Sequence, residues 1–143
     1  MNVADDRLTL SIPSNPQYLC ILRAFCSSLL DTLGFHQAET ERVILAVHEA
    51  CTNVIEHCYK GDITQRIDVT VLVTAADIAI EIRDYGQKQD IASIKPRPLH
   101  DVRPRGLGTY LIQSIMDHVT YHSSDTGTLV RMIKRRSVPC KSS

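Results

Sequence analysis

Two runs rich in β-branched residues, Arg66 to Thr74 and Ile78 to Asp84, are separated only by Ala75-Ala76-Asp77. A connection that short joins antiparallel neighbours, because a parallel pair needs a crossover of about a dozen residues or more. Val119 to Ser123 and Thr128 to Lys134 form a second such pair around Asp125-Thr126-Gly127. Arg7 to Ile12 alternates apolar and polar residues with period two and reads as a further strand. Elsewhere the period changes to that of a helix. From Gln17 to Leu33 the apolar positions are Leu19, Leu22, Phe25, Cys26, Leu29 and Leu33, with Gly34 as a stop. A second helix is predicted from Ala38 to Tyr59, its buried stripe made of Val43, Ile44, Val47, Ala50, Cys51, Val54, Ile55 and Cys58. A third runs from Leu107 to Asp117. Grouped helices with hairpin-joined strands predict an α+β fold, a two-layer sandwich with helices on one face of a mainly antiparallel mixed sheet.

The chain has 143 residues, enough for one packed core, and shows no internal repeat, so a single domain over 1–143 is expected, with 135–143 as a flexible tail. Sixteen Lys and Arg balance sixteen Asp and Glu, which removes overall charge as a driver of nucleic-acid binding. No apolar run approaches the ~20 residues that span a bilayer, and the first residues lack the pattern of a signal peptide. A cytosolic protein that binds neither membrane nor nucleic acid directly is expected.

The five cysteines include no C-x-x-C pair and do not make a disulfide framework. Cys51 and Cys58 read as buried apolar thiols. Zinc is rejected, because Thr52 stands where a zinc-protease helix beginning His48-Glu49 needs its second histidine.

Three segments could carry chemistry, and each has a plain structural reading as well. Glu49, Asn53 and His57 recur every four residues and drift by only ~40° per step, so acid, amide and imidazole share one helix face. Glu56 and Lys60 fall on the same sector, and an ordinary solvated face with an ion pair would look alike. Asp84-Tyr85-Gly86 ends the strand bearing Ile78, Ile80 and Ile82. A carboxylate there can accept from an exocyclic amine, and glycine lets a flat ring approach, although a simple turn is also possible. Arg105-Gly106-Leu107-Gly108-Thr109 opens the third helix, where bare amides and the helix dipole suit a phosphate. Ahead of it, Tyr85 to Arg105 has weak periodicity and carries Lys95, Arg97, His100, Arg103 and Arg105 against Asp101, and reads as a lid.

In this order the segments resemble the N box and glycine boxes of the GHKL (Bergerat-fold) ATP-binding domain. The closer resemblance is to the RsbW/SpoIIAB-like anti-sigma-factor serine/threonine kinases. It is carried by Val47-His48-Glu49-Ala50-Cys51-Thr52-Asn53-Val54-Ile55-Glu56-His57, by Arg105 to Ile112 and by Gly127-Thr128, and spans roughly Arg7 to Lys134. The resemblance implies ATP and Mg2+ as cofactors. Asn53 would then ligate the magnesium ion, Glu49 would be the general base and Asp84 would hold the adenine amine. Gly86 would give the base room, while Arg105, Gly106, Leu107, Gly108 and Thr109 would lie along the phosphates. Thr128 would support the adenine from behind. It further implies a STAS-domain anti-anti-sigma factor as phosphate acceptor, a sigma factor as alternate partner, a homodimer, and a bacterial cytoplasmic setting.

Lys88 replaces the second glycine of the D-x-G-x-G pattern common in that superfamily. It leaves open a non-catalytic partner-switch module, while intact Glu49 and Asn53 favour a kinase. A stressosome-type switch kinase, which binds no sigma factor, is a further alternative. No Walker A sequence and no H-R-D or D-F-G signature is present, which excludes those ATP-using folds.

Overall fold

The computed structural model describes residues 5–86 and 104–136, with only the backbone described at 104–108. Most of the expected lid, including Lys88, Lys95, Arg97, His100, Asp101 and Arg103, lies outside the described residues, as does Cys140.

The strands are β1 (Asp6–Pro13), β2 (Arg66–Val73), β3 (Asp77–Asp84), β4 (His118–Ser124) and β5 (Gly127–Arg135). The helices are α1 (Leu19–Thr32), α2 (Gln37–Asn53) and α3 (Pro104–Ile115). The five strands form one sheet in the order β1-β2-β3-β5-β4. Every described pairing is antiparallel, so the sheet is not mixed as expected. After β3 the chain forms α3, lays β4 at the edge, and turns back to insert β5 beside β3. The C-terminal end of β3 therefore lies at the start of β5.

Alternation explains which face is covered. Ile67, Val69 and Val71 of β2 pair with Asp84, Ile82 and Ile80 of β3, and all six are buried. Val130 and Met132 of β5 continue the same face. Against it pack Leu22, Cys26 and Leu30 of α1, then Val43, Ala46, Val47, Ala50 and Cys51 of α2, and Ile112 and Ile115 of α3. Each large aliphatic side chain so buried contributes roughly 1.5–3 kcal/mol. Leu30 belongs to this core although the helical reading passed over it, whereas Phe25, Leu29 and Leu33 are only partly buried.

The other face mixes charged and polar pairs with the apolar residues Leu72, Ala79, Leu129 and Ile133. Glu81 and Arg131 form an ion pair across β3 and β5, and the hydroxyls of Thr9 and Thr70 lie 3.2 Å apart. At the end of α3, the Lys134 ammonium donates to the Ile115 carbonyl at 3.0 Å and pairs with Glu39 at 3.3 Å. One cation thus meets the negative end of α3 and ties it to the start of α2. β5 runs through Arg135, and Arg136 donates from its backbone to the Ala76 carbonyl at 2.8 Å. Arg135 thus belongs to β5, and Arg136 is held against the turn between β2 and β3; 137–143 lie outside the described residues. No described helix is long and apolar enough to cross a membrane.

Two helix boundaries differ from the periodic reading. α2 stops as an α-helix at Asn53, and Val54–Cys58 continues as a π turn, with the Tyr59 amide donating to the Val54 carbonyl at 2.9 Å. His57 therefore lies in the π turn and not on the α-helix that carries Glu49 and Asn53. Lys60, expected beside Glu56, lies past the helix at φ 50°. α3 begins at Pro104, three residues early, so Arg105 to Gly108 occupy its first turn. Proline is well placed there, because the first helical amides have no intrahelical acceptor.

Candidate nucleotide site

At Asp84 the structure brings together the end of β3, the start of β5 and the turn that follows α2. This carboxylate ends β3 on the helix-covered face and is 1% exposed. Its Oδ1 accepts from the Gly86 amide at 3.0 Å and the Thr128 amide at 3.3 Å. Its Oδ2 has no hydrogen-bond partner among the described residues, and neither has the buried Thr128 hydroxyl. An unmet buried polar group costs about 1–3 kcal/mol, so two at one place mark a spot that the described residues leave unsatisfied.

The approach of β5 to this turn depends on glycine. Gly127 has φ 138°, and a Cβ there would lie 1.9 Å from the Asp84 carbonyl oxygen. Gly127→Ala is expected to lower unfolding stability by roughly 3 kcal/mol or more, because the clash is with backbone and the conformation is itself strained. Chemical denaturation measures this; a loss under 1 kcal/mol would contradict the close approach. Gly86 is also constrained, since its Cβ would sit 3.0 Å from the Cys58 carbonyl oxygen and 3.4 Å from the Tyr59 ring. The D-x-G turn thus rests directly on the π turn that follows Asn53.

Tyr59 holds this junction. It is 6% exposed, and its hydroxyl donates to the Arg66 carbonyl at 2.5 Å while accepting from the Tyr85 amide at 2.7 Å. Burial, first of all, raises its pKa. Tyr59→Phe leaves a donor and an acceptor unmet and is expected to cost about 2 kcal/mol of stability. Thermal or denaturant unfolding of the two proteins tests it, and equal stabilities would show that the brace is dispensable. On the outer face the Tyr85 hydroxyl donates to Asp68, and the guanidiniums of Arg66 and Arg83 lie over its ring at 4.5 and 5.1 Å. Both sides of the turn are therefore fixed.

Glu49 and Asn53 are partly buried and one helical turn apart at the end of α2. Arg105, Gly106, Leu107 and Gly108 lie in the first turn of α3, which packs beside α2, and Thr109 follows them, buried. Gly86 and Thr128 touch Asp84 directly. The sequence reading missed Tyr59 and took Gly127 only as a turn and motif residue; their partners are groups brought together only by folding. It also took Cys58 for a buried apolar thiol, and there the structure differs. Cys58 is half-buried beside the Asp84 carboxylate, and burial, followed by that charge and a hydrogen bond to it, pushes the thiol up to about 12. Cys51 is fully buried as expected.

A two-layer fold with a buried, half-satisfied carboxylate at the end of β3 defines a domain of the ATP-binding kind. Residues 12–134 match the histidine kinase-like ATPase domain, and the chain belongs to that family. It is 32% identical to the serine-protein kinase RsbW of Bacillus licheniformis, over 94% of this chain and 88% of that protein. Identity to the serine-protein kinase RsbW of Bacillus subtilis is 29%, over 90% of this chain and 85% of that one. Within the family, the chain therefore falls in the RsbW group of serine-protein kinases. The fold also matches part of the crystal structure of the RsbU and RsbW domains of a Mycobacterium tuberculosis protein, with a TM-score of 0.70 at 17% identity. That match covers 95% of this chain and 34% of the other.

Proposed function

We propose that the protein is a cytoplasmic anti-sigma factor that transfers the γ-phosphoryl group of ATP to a serine or threonine of a STAS-domain anti-anti-sigma factor. When it is not engaged with that substrate, it holds a sigma factor inactive, and it works as a homodimer. The observation that carries the reading is that, among the described residues, neither the buried Oδ2 of Asp84 nor the buried Thr128 hydroxyl has a hydrogen-bond partner.

A 6-aminopurine supplies the missing donor. Asp84 Oδ2 accepts from the exocyclic amine, while Oδ1 stays committed to the Gly86 and Thr128 amides. The bare Cα of Gly86 packs against the π turn, where the Cys58 carbonyl and the Tyr59 ring leave no space for a Cβ, and the Thr128 hydroxyl is available to a ring nitrogen or a bridging water. Asn53 offers a hard amide oxygen, one protein ligand of the kind magnesium takes alongside phosphate oxygens and water. Magnesium, when bound, offsets the phosphate charge. The first-turn amides of α3, at Arg105, Gly106, Leu107 and Gly108, lie at the positive end of a helix and suit the phosphates; Thr109 closes that turn.

Phosphoryl transfer needs positioning and charge compensation above all. Glu49 accepts the proton of the attacking hydroxyl as the new O–P bond forms and the bond to the β-phosphate bridge breaks. Its place one turn before Asn53 supports this role, because base and metal ligand then share a rigid helix. The test is incubation of the protein with γ-labelled ATP, magnesium and a STAS-domain protein encoded beside it. Label on a serine or threonine of that protein is expected, together with co-purification of a sigma factor. Nucleotide binding without transfer would make the chain a partner-switch module, and transfer without sigma binding would make it a switch kinase of another circuit.

A further inference from the structure

Side chains of consecutive strand residues point to opposite faces of a sheet. The Asp84 carboxylate lies on the helix-covered face, and the Tyr85 ring that follows it lies on the other, within a polar row that crosses the sheet. Ser11 of β1 donates to Asp68 Oδ1 of β2 at 2.6 Å, and Asp68 Oδ2 accepts from the Tyr85 hydroxyl. Arg83, the cross-strand partner of Asp68, lies with Arg66 over the Tyr85 ring and donates to the Thr126 hydroxyl at 3.1 Å. The row therefore holds both segments that supply amides to Asp84 Oδ1. Through Tyr85 it holds the turn bearing Gly86, and through Thr126 it holds the start of β5, where Thr128 lies. Tyr85 is 37% exposed and takes no part in the core.

We infer that Tyr85 is a positioning residue for nucleotide recognition. Its hydroxyl, anchored on Asp68, fixes the tilt of the D-x-G turn, presets Asp84 Oδ2 for a 6-amine, and so makes the site selective for ATP over GTP. The inference rests on the reading of Asp84 as the purine-amine acceptor. Tyr85 acts through the backbone it shares with Asp84 and Gly86, without touching the nucleotide. A carboxylate acceptor and two cations over the ring make the anchor firm for an exposed contact. On the covered face the Tyr85 amide donates to the Tyr59 hydroxyl at 2.7 Å, so the turn is held from both sides. A turn free to tilt would have to be ordered when the nucleotide arrives, whereas a held one is ordered on folding. Contacts to the triphosphate are common to ATP and GTP. Loosening the turn therefore weakens ATP and leaves GTP as it was.

Calorimetric titration of the parent, Tyr85→Phe, Asp84→Asn and the double variant with Mg-ATP and Mg-GTP tests the inference. Phenylalanine keeps the ring beneath both guanidiniums and removes only the donor to Asp68. Tyr85→Phe is expected to bind ATP at least about threefold more weakly, the scale of one lost hydrogen bond, with GTP affinity unchanged. In the Asp84→Asn background the same substitution should shift ATP affinity by less than about twofold, because it acts only through the carboxylate. A merely structural brace would weaken both nucleotides alike, and its effect would add to that of Asp84→Asn. A smaller loss of ATP affinity, an equal loss for the two nucleotides, or additive effects overturns the role of Tyr85 and leaves the purine reading standing. If the parent binds no ATP, or binds GTP equally well, the purine reading fails and this inference fails with it.

Discussion

Glu49→Gln is expected to transfer phosphate at least about 100-fold more slowly than the parent, the usual range for a lost general base being 10²–10⁴. The substitution keeps the shape of the side chain and its helix, and removes only the ability to take a proton. Glu49 is partly buried at the end of α2, one turn before Asn53, and no part of the core depends on its charge. Nucleotide affinity and unfolding midpoint should therefore stay within about a factor of two and a degree or two of the parent. Single-turnover transfer to the acceptor protein, measured beside ATP binding, separates the effects. Unchanged transfer would remove Glu49 from the chemistry, whereas parallel loss of binding and transfer would make it a binding residue.

Asp84→Asn is the second large effect, and its direction follows from the two oxygens. The asparagine carbonyl can keep the place of Oδ1 and hold the Gly86 and Thr128 amides. Its NH2 then stands where Oδ2 was, so a donor faces the purine amine. Rotating the amide to present oxygen to the purine would set NH2 against two backbone N–H groups. Either orientation loses an acceptor, and losing a hydrogen bond to a charged group is worth about 1.5–3 kcal/mol. ATP affinity should fall roughly 10- to 150-fold. Kd values within threefold of each other would place the purine elsewhere.

Much of the fold was legible from local pattern. The two hairpins follow from short connections between β-branched runs, and α1 follows from its apolar period and Gly34, which takes φ 87°. What stayed hidden depends on departures from regularity or on contacts between distant segments. A 3.6-residue period carried the helix through to Tyr59, yet the chain widens into a π turn after Asn53. That change brings Cys58 and Tyr59 under the D-x-G turn. Periodicity cannot announce such a turn, because Val54, Ile55 and Cys58 simply continue the apolar stripe of the residues before them. The Asp84 environment was legible only as a strand-end carboxylate. Its pairing with the Thr128 amide spans 44 residues of sequence and arises because β5 inserts beside β3. The resemblance to a nucleotide-binding family linked Asp84 to Gly86 and Thr128, and the structure supplies the contacts.

Calorimetric titration of the unmodified protein with Mg-ATP and, in parallel, Mg-GTP tests the role of Asp84 most directly, because GTP carries a carbonyl where ATP carries the 6-amine. A carboxylate oxygen awaiting a donor predicts that ATP binds and that GTP binds at least tenfold more weakly. Equal affinity for the two nucleotides, or no heat with ATP, would contradict it.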